Sequence, residues 1–424
     1  MMKINSIKGM HDLFSSQTQN WKQIENLLHN FFDIHGYGEI RTPVVEKADL
    51  FNRVIGDETD IVNKEMYSWK DQGGDVLALR PELTAPSVRS YIEHSMDKRN
   101  KVAKLYYIGP AFRRERPQKG RQRQFYQYGI EAIGSEHPEQ DAEVISMAYN
   151  IFNMLGVENL ELVINSVGSR ETKKKYSKIL KEYLSDNVED LSDVSKERYA
   201  KNPLRILDSK SKEEQNIIKG APSILESLDD SEKKHFAQVQ RFLDKLNIPY
   251  TIDPQLVRGL DYYTLTTFEI RTQSIGSQDA LCGGGRYNNL VEQLGGKSVP
   301  AIGFAAGMER LMMALNLDKQ TAEAKIDVFV ISAGDDAVTN SLKICDTLRN
   351  QLGIKVMMDF TRGSFKSQMR QANKLNAEYV IILGEEEIKR KVGIIKTMSS
   401  GEQFEAPLDT IHKHFDVEHS KDDE

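Results

Sequence analysis

Apolar side chains recur at Trp21, Ile24, Leu27, Leu28, Phe31 and Phe32, the three-and-four spacing of one helix face, and the stripe stops at Gly36. EIRTPVVE follows as an extended stretch. Its Pro43 has no N–H to give a ladder, so it marks an edge strand or strand start, or else a place where another chain packs. DVLALRPELTAPSVRSYIEH reads as strand, Pro-containing turn and helix, with Glu82 and Thr84 at the junction. KLYYIGPAFRRER and RQFYQYGIEAIG are apolar and aromatic runs on either side of the turn signal PQKGR, which predicts a hairpin with a basic tip.

The texture changes at about Arg170. KKKYSKILKEYL and SEKKHFAQVQRFLDKL carry helical stripes amid dense mixed charge, so 170–246 reads as a mostly helical insertion. Beyond it come strand-like LDYYTLTTFEIRT, the glycine run CGGGRYNNLV and AIGFAAGMERLMMAL, a strand end entering a helix. From Ile326 strands and helices alternate (IDVFVIS, SLKICDTLRNQL, KVMMDF, EYVIILG, KVGIIKTM), as in a separate α/β domain. The expected division is 1–325, interrupted by 170–246, then 326–415, then a flexible charged tail at 416–424.

Length agrees with several domains: 424 residues exceed what one small core organises. A net charge of -6 argues against a generally basic nucleic-acid coat, so any polyanion is met by a local patch. The two cysteines form no CxxC pair and the nine histidines show no HxxxH or HExxH spacing, which makes structural zinc improbable. With no apolar leader region and no long apolar run, a cytoplasmic protein away from membranes is expected.

Arg113, Arg114, Arg116, Lys119, Arg121 and Arg123 crowd the hairpin tip. On charge alone this is either a solvated loop or an anion site. Arg113 and Arg114 fall where an apolar strand ends, so one of them faces the sheet and needs an anionic partner, and a guanidinium suits phosphate. Period two puts Gln127, Gly129 and Glu131 on one strand face, a floor with an amide, a gap and a carboxylate. That floor fits a small donor-bearing ligand, or Glu131 is an ordinary exposed strand residue. Arg258, Tyr262, Tyr263 and Tyr287, from LVRGLDYY and GGGRY, are ligand contacts or core residues. Arg310, at the head of an apolar helix, reaches a phosphate or pairs with Glu309. Neither GxGxxG nor GxxxxGK[ST] is present, so Rossmann and P-loop readings fail.

In this order the segments resemble the class II aminoacyl-tRNA synthetases, and among them the histidyl-tRNA synthetase family. EIRTPVVE is similar to motif 1, FRRERPQKGRQRQFYQYGIEAIG to motif 2 and AIGFAAGMERL to motif 3, while LVRGLDYY and CGGGRY resemble the two histidine-specific signatures. GGGRYNNL departs from the family's frequent GGGRYDGL at Asn288 and Asn289.

The resemblance implies an α+β fold, a class II catalytic domain whose antiparallel sheet is flanked by helices, with a helical insertion and a C-terminal α/β anticodon-binding domain. It implies a ligase that activates L-histidine with ATP and transfers it to the 3′ end of tRNA-His, as a homodimer. Arg113 would hold the ATP α-phosphate, Arg310 the γ-phosphate, and Arg258 would bridge histidine carboxylate and α-phosphate, with Arg113 and Arg258 the catalytic pair. Glu82 and Thr84 would take the substrate ammonium, with Gln127 close to the α-carbon groups; Glu131 and Tyr263 would read the imidazole nitrogens, Tyr287 would line the same pocket, and Tyr262 would also contact the histidine. Arg116, Gln118 and Arg123 would face the tRNA acceptor end. Mg2+ would accompany ATP without a protein motif of its own; no zinc and no organic cofactor are implied. An analogue without ring nitrogens would leave Glu131 buried and unpaired, rejecting it by roughly 10⁴. The alternative is a synthetase-like, histidine-sensing regulatory subunit of ATP phosphoribosyltransferase. Such proteins usually degrade the catalytic arginines, which this chain keeps.

Overall fold

The computed structural model describes residues 3–55, 59, 61–209, 211–276, 280–317 and 325–415; the tail read at 416–424 lies outside them. The chain separates into two compact units, Met1–Gln320 and Thr321–Glu424.

In the first unit the apolar stripe becomes α1 (Ser15–Ile34), with Trp21, Ile24, Leu28 and Phe32 buried. Gly36, at φ +75°, lets the chain leave the helix through a left-handed turn. EIRTPVVE divides between β1 (Gly38–Glu39) and β2 (Val45–Lys47), which belong to different sheets, with Pro43 outside both. The buried Arg80 guanidinium holds this bend by donating to the carbonyls of Thr42 at 2.7 Å and Pro110 at 2.8 Å. α2 (Ala48–Ile55) follows, then β3 (Ser68–Lys70) and β4 (Val76–Leu79), which complete a small antiparallel sheet in the order β2-β4-β3. After α3 (Thr84–Glu93), β5 (Ala103–Phe112) and β6 (Gln124–Ile133) form the hairpin.

The chain continues through α4 (Pro138–Met154) and β7 (Leu160–Ser166) into α5 (Arg170–Leu184), α6 (Asp193–Lys201), α7 (Lys212–Ile218) and α8 (Asp230–Lys245). Tyr176, Leu180, Leu184, Ile206, Ile218 and Ile224 form a core of their own. α8 instead turns Phe236, Val239 and Leu243 into the core of the large sheet. That sheet is completed by β8 (Thr251–Ile252), β9 (Thr264–Thr272), β10 (Ala280–Arg286) and, after α9 (Leu290–Gln293), β11 (Ala301–Gly307), which leads into α10 (Met308–Ala314). Its order is β1-β5-β6-β11-β10-β9-β7-β8, antiparallel except at the two outermost pairs.

Pleating gives this sheet two unlike faces. Tyr128, Ile130 and Ala132 of β6 and Ile302, Phe304 and Ala306 of β11 join α1, α4 and α8 in one apolar core. Gln127, Gly129 and Glu131 are paired across the ladder with Gly307, Ala305 and Gly303. The second row is small or polar, which leaves a hollow above the sheet.

The second unit has a sheet of β12 (Val328–Ser332), β13 (Val356–Met358), β14 (Tyr379–Leu383), β15 (Val392–Thr397) and β16 (Gln403–Pro407) in the order β13-β12-β14-β15-β16. Its first three strands are parallel, and the last two turn antiparallel. α11 (Asp335–Leu352) packs Ile344, Cys345 and Leu348 on Val328 and Val330, while α12 (Phe365–Lys374) packs Ala372 against Phe329 and Val380 on the other side. α13 (Glu385–Arg390) joins β14 to β15.

Candidate active site

Glu82, Thr84, Arg113, Gln127, Arg258, Tyr262, Tyr263, Tyr287 and Arg310 line one cavity over the hollow face of the large sheet. Its depth comes from missing side chains. A methyl group at Gly283 would collide with the Arg258 guanidinium, and one at Gly303 with Glu131 Oε2 and the Ile130 carbonyl. The glycines are therefore seats for the functional side chains.

Glu131 lies beneath the cavity and is 1% exposed, which rules out the exposed strand glutamate. Tyr107 donates its hydroxyl to Oε1 at 3.0 Å and Tyr287 donates to Oε2. Burial pushes the Glu131 carboxyl up to about 8 in spite of these donors. One expectation is corrected here. Both oxygens already have protein partners, so a ligand without ring nitrogens does not strand the carboxylate. Tyr287 is fixed through its neighbour Arg286, which is wholly buried and donates to Asp141 (2.8 Å to Oδ2) and to the carbonyls of Ser135 and His137. Burial alone would raise Asp141, yet Arg286 and His235 beside it hold its carboxyl below the usual range.

At the edge of the cavity Glu82 accepts the backbone N–H groups of Thr84 at 2.6 Å and Ala85 at 2.9 Å, which caps α3; burial raises its carboxyl. Arg113 donates Nε to the Pro81 carbonyl at 2.8 Å, and its guanidinium lies 5.3 Å from the Phe125 ring centroid. Arg258 pairs with Glu269, whose other oxygen takes Arg271 Nε at 2.7 Å. Arg310 donates to the carbonyls of Gly120 at 3.2 Å and Ala280 at 2.6 Å. Glu309 turns away, with both oxygens on the Tyr126 N–H at 3.0 and 3.1 Å, and burial pushes it up to about 7. A first-turn Glu309–Arg310 pair is thus not what orders this helix head. Among the described residues, Gln127 Oε1 and Arg258 Nε are buried without a hydrogen-bond partner. Both residues line the cavity.

Arg116, Gln118 and Arg123 do not line this cavity. Arg116 is exposed, Gln118 borders a neighbouring cavity with His11, Trp21 and Met313, and Arg123 Nε meets the Glu115 carbonyl at 3.3 Å. Sequence reasoning missed Tyr107 and Glu269, named Glu309 only as a partner for Arg310, and counted Arg121 only among the basic residues of the hairpin tip; Arg121 joins the cavity wall with its partner Glu115 at 3.2 Å. Tyr107 had one signal. Gly129, its partner across the ladder, leaves room for the phenol, but the register that pairs them is not written in the sequence.

Residues 327–416 match the family model of an anticodon binding domain, and a catalytic unit joined to such a domain is the build of an aminoacyl-tRNA synthetase. Residues 9–311 match the family model described as histidyl-tRNA synthetase. The chain is 45% identical over 412 residues to the histidine-tRNA ligase of Syntrophotalea carbinolica, covering 97% of this chain and 98% of that one. It matches the crystal structure of apo S. aureus histidyl-tRNA synthetase with a TM-score of 0.80 and 39% identity, over 98% of this chain and 100% of that one. A Bacillus halodurans structure described as an ATP phosphoribosyltransferase regulatory subunit/histidyl-tRNA synthetase shares the fold, at 19% identity and a TM-score of 0.66 over 91% of this chain and 99% of that one. The chain belongs to the histidyl-tRNA synthetase family.

Proposed function

We infer that the chain is a class II ligase that activates L-histidine with ATP to histidyl-adenylate, releasing pyrophosphate, and passes histidine to the 3′ end of tRNA-His. The observation that carries this reading is the convergence of Arg113, Arg258 and Arg310, from three distant segments, on one cavity with Glu131 beneath it. A histidine carboxylate oxygen attacks the α-phosphorus, and the bond to the pyrophosphate oxygen breaks. Two anions must meet, so the barrier is repulsion and misorientation, and fixed guanidinium groups relieve both. Arg258, with its unmet Nε, bridges carboxylate and α-phosphate; Arg113 takes the α-phosphate and Arg310 the γ-phosphate. Gln127 Oε1 and the Glu82–Thr84 junction receive the ammonium. Glu131, Tyr262, Tyr263 and Tyr287 surround the imidazole, and selectivity is shared among them because Glu131 already has tyrosine partners.

Among the described residues no group of three or more His, Cys, Asp or Glu side chains converges as a metal cage. Magnesium would arrive on the ATP phosphates, held largely by the substrate. Arg116, Gln118 and Arg123, outside the cavity, are placed for the tRNA acceptor end, and the unit from Ile326 for the anticodon. We read the working form as a cytoplasmic homodimer; the half-exposed Val45, Trp69 and Val76 of the small sheet suit cover by a second copy. The regulatory-subunit reading is disfavoured by the complete arginine set.

Histidine-dependent exchange of labelled pyrophosphate into ATP, run without tRNA, tests this. Exchange is expected with histidine and not with other amino acids, and Arg258→Ala or Arg113→Ala is expected to lower it about 10²- to 10³-fold. Folded, histidine-binding protein that catalyses no exchange would return the case to the regulatory subunit. Sedimentation should give a dimer of the 48.3 kDa chain; a monomer removes that part.

A further inference from the structure

The loop bearing Arg258 and Tyr263 is held largely from the insertion beside it. It leaves β8 under the control of β7: Asp253 donates its N–H to the Ile164 carbonyl at 3.1 Å, and Asn165 Nδ2 donates to the Leu256 carbonyl at 3.0 Å. From there the insertion takes over. Gln255 Nε2 reaches the Ile218 carbonyl at 2.7 Å, and Val257 packs on the insertion's own core. Asp261 Oδ1 accepts from Arg205 Nη2 at 2.9 Å and from Asn202 Nδ2 at 3.2 Å. Lys173, on α5, donates Nζ to the backbone carbonyls of Asp261 at 3.3 Å and Tyr263 at 2.8 Å.

The rest of the boundary is open. A cavity between α5 and this loop is lined by Lys174, Lys178 and Lys181 on one side and by Val257 and Leu260 on the other. Where packing is absent, a few polar ties fix the distance between two elements. Those ties end on the backbone of Tyr263 and on Asp261, within five positions of Arg258. On the sheet side the Arg258 guanidinium is paired with Glu269 and occupies the room that Gly283 leaves it.

We propose that Lys173, Asn202 and Arg205 are positioning residues for histidine, holding Asp261 and the Tyr263 carbonyl so that Arg258 and Tyr263 stand where the amino acid needs them. The insertion is then a working wall of the amino-acid site. The ATP contacts of Arg113 and Arg310 are spared, because these two are held by the carbonyls of Pro81, Gly120 and Ala280; only the α-phosphate contact that Arg258 shares with the histidine carboxylate is affected. The inference rests on the reading of Arg258 and Tyr263 as histidine contacts.

Pyrophosphate exchange on the full chain, with histidine and ATP varied separately, tests it. Lys173→Met and Arg205→Met are each expected to raise the histidine KM about tenfold or more, with a clearly smaller rise in the ATP KM, since Arg113 and Arg310 stay in place while Arg258 also meets the α-phosphate. Asp261→Asn, which keeps an acceptor for Asn202 and Arg205, should fall between these and the parent. Glu214 supplies the structural control. It is buried inside the insertion, where it accepts the Ser192 N–H at 2.8 Å and the Ser195 hydroxyl at 3.0 Å. Glu214→Gln should lower the melting temperature and leave the histidine KM alone. The proposal is overturned if Lys173→Met and Arg205→Met leave the histidine KM unmoved, or if Glu214→Gln raises it equally. Should Lys173→Met fold poorly, Arg205→Met decides, since its partner Asp261 is partly exposed. Loss of exchange in the parent enzyme would instead count against the functional reading.

Discussion

Ile302 and Gly303 are neighbours on β11 and face opposite ways. Ile302 is fully buried in the core that α1, α4 and α8 build on one side of the large sheet. Gly303 faces the other side, and the space its missing side chain leaves is occupied by the Glu131 carboxylate. The same alternation repeats on β6 between Ile130 and Glu131. One face is filled with aliphatic and aromatic groups. The other is hollowed and carries a buried acid whose ionisation the protein opposes. The first contributes the stability that the second consumes, which is why one strand can serve both.

If the faces divide the labour in this way, shortening a side chain on the filled face should cost stability and nothing else. Ile302→Ala is expected to lower unfolding free energy by about 2–5 kcal/mol, read from the urea midpoint, with the histidine KM of the folded enzyme unchanged. A shift in that KM would mean that the packed face also tunes the site. Adding a side chain on the hollow face should cost the activity as well. Gly303→Ala drives a methyl group against Glu131 and the Ile130 carbonyl, so about 1–3 kcal/mol of stability is expected to go with the loss of histidine-dependent exchange. Retained exchange at the parent KM would show that Glu131 need not stand where it does.

The filled face was legible in the sequence and much of the hollow one was not. Helical spacing located α1, and period two put Gln127, Gly129 and Glu131 on a common face before any register was known. The glycine run stood out in the sequence, but not what fills the space beside it: Arg258 reaches Gly283 from a different loop. Tyr107 across from Gly129, Glu309 on the Tyr126 N–H and Lys173 on the Tyr263 carbonyl all depend on pairings between distant segments. Local pattern records which side of an element a residue occupies, and it holds no record of the partner. β3 was missed for another reason. All three of its residues are exposed, so burial imposes no alternation on them.

The smallest effect is the one that tests the hollow face's cost directly. Burial pushes the Glu131 carboxyl up to about 8 in the folded protein, whereas in the unfolded chain it loses its proton above the ordinary value of 4.5. Between those values unfolding releases a proton, so the group's contribution to stability is full below the lower value and falls as pH rises to the upper one. A single site of this kind costs at most about 1.4 kcal/mol per pH unit. From pH 7 to 8 the parent should therefore lose about 1 kcal/mol that Glu131→Gln does not lose. Glu309, pushed up to about 7, adds the same background to both proteins and cancels in the comparison. The variant should also fail in histidine activation while being no less stable at pH 8 than the parent. Parallel stability curves for the two proteins across this range would show that Tyr107 and Tyr287 already hold Glu131 as a carboxylate, and the hollow face would then carry no ionisation cost at neutral pH.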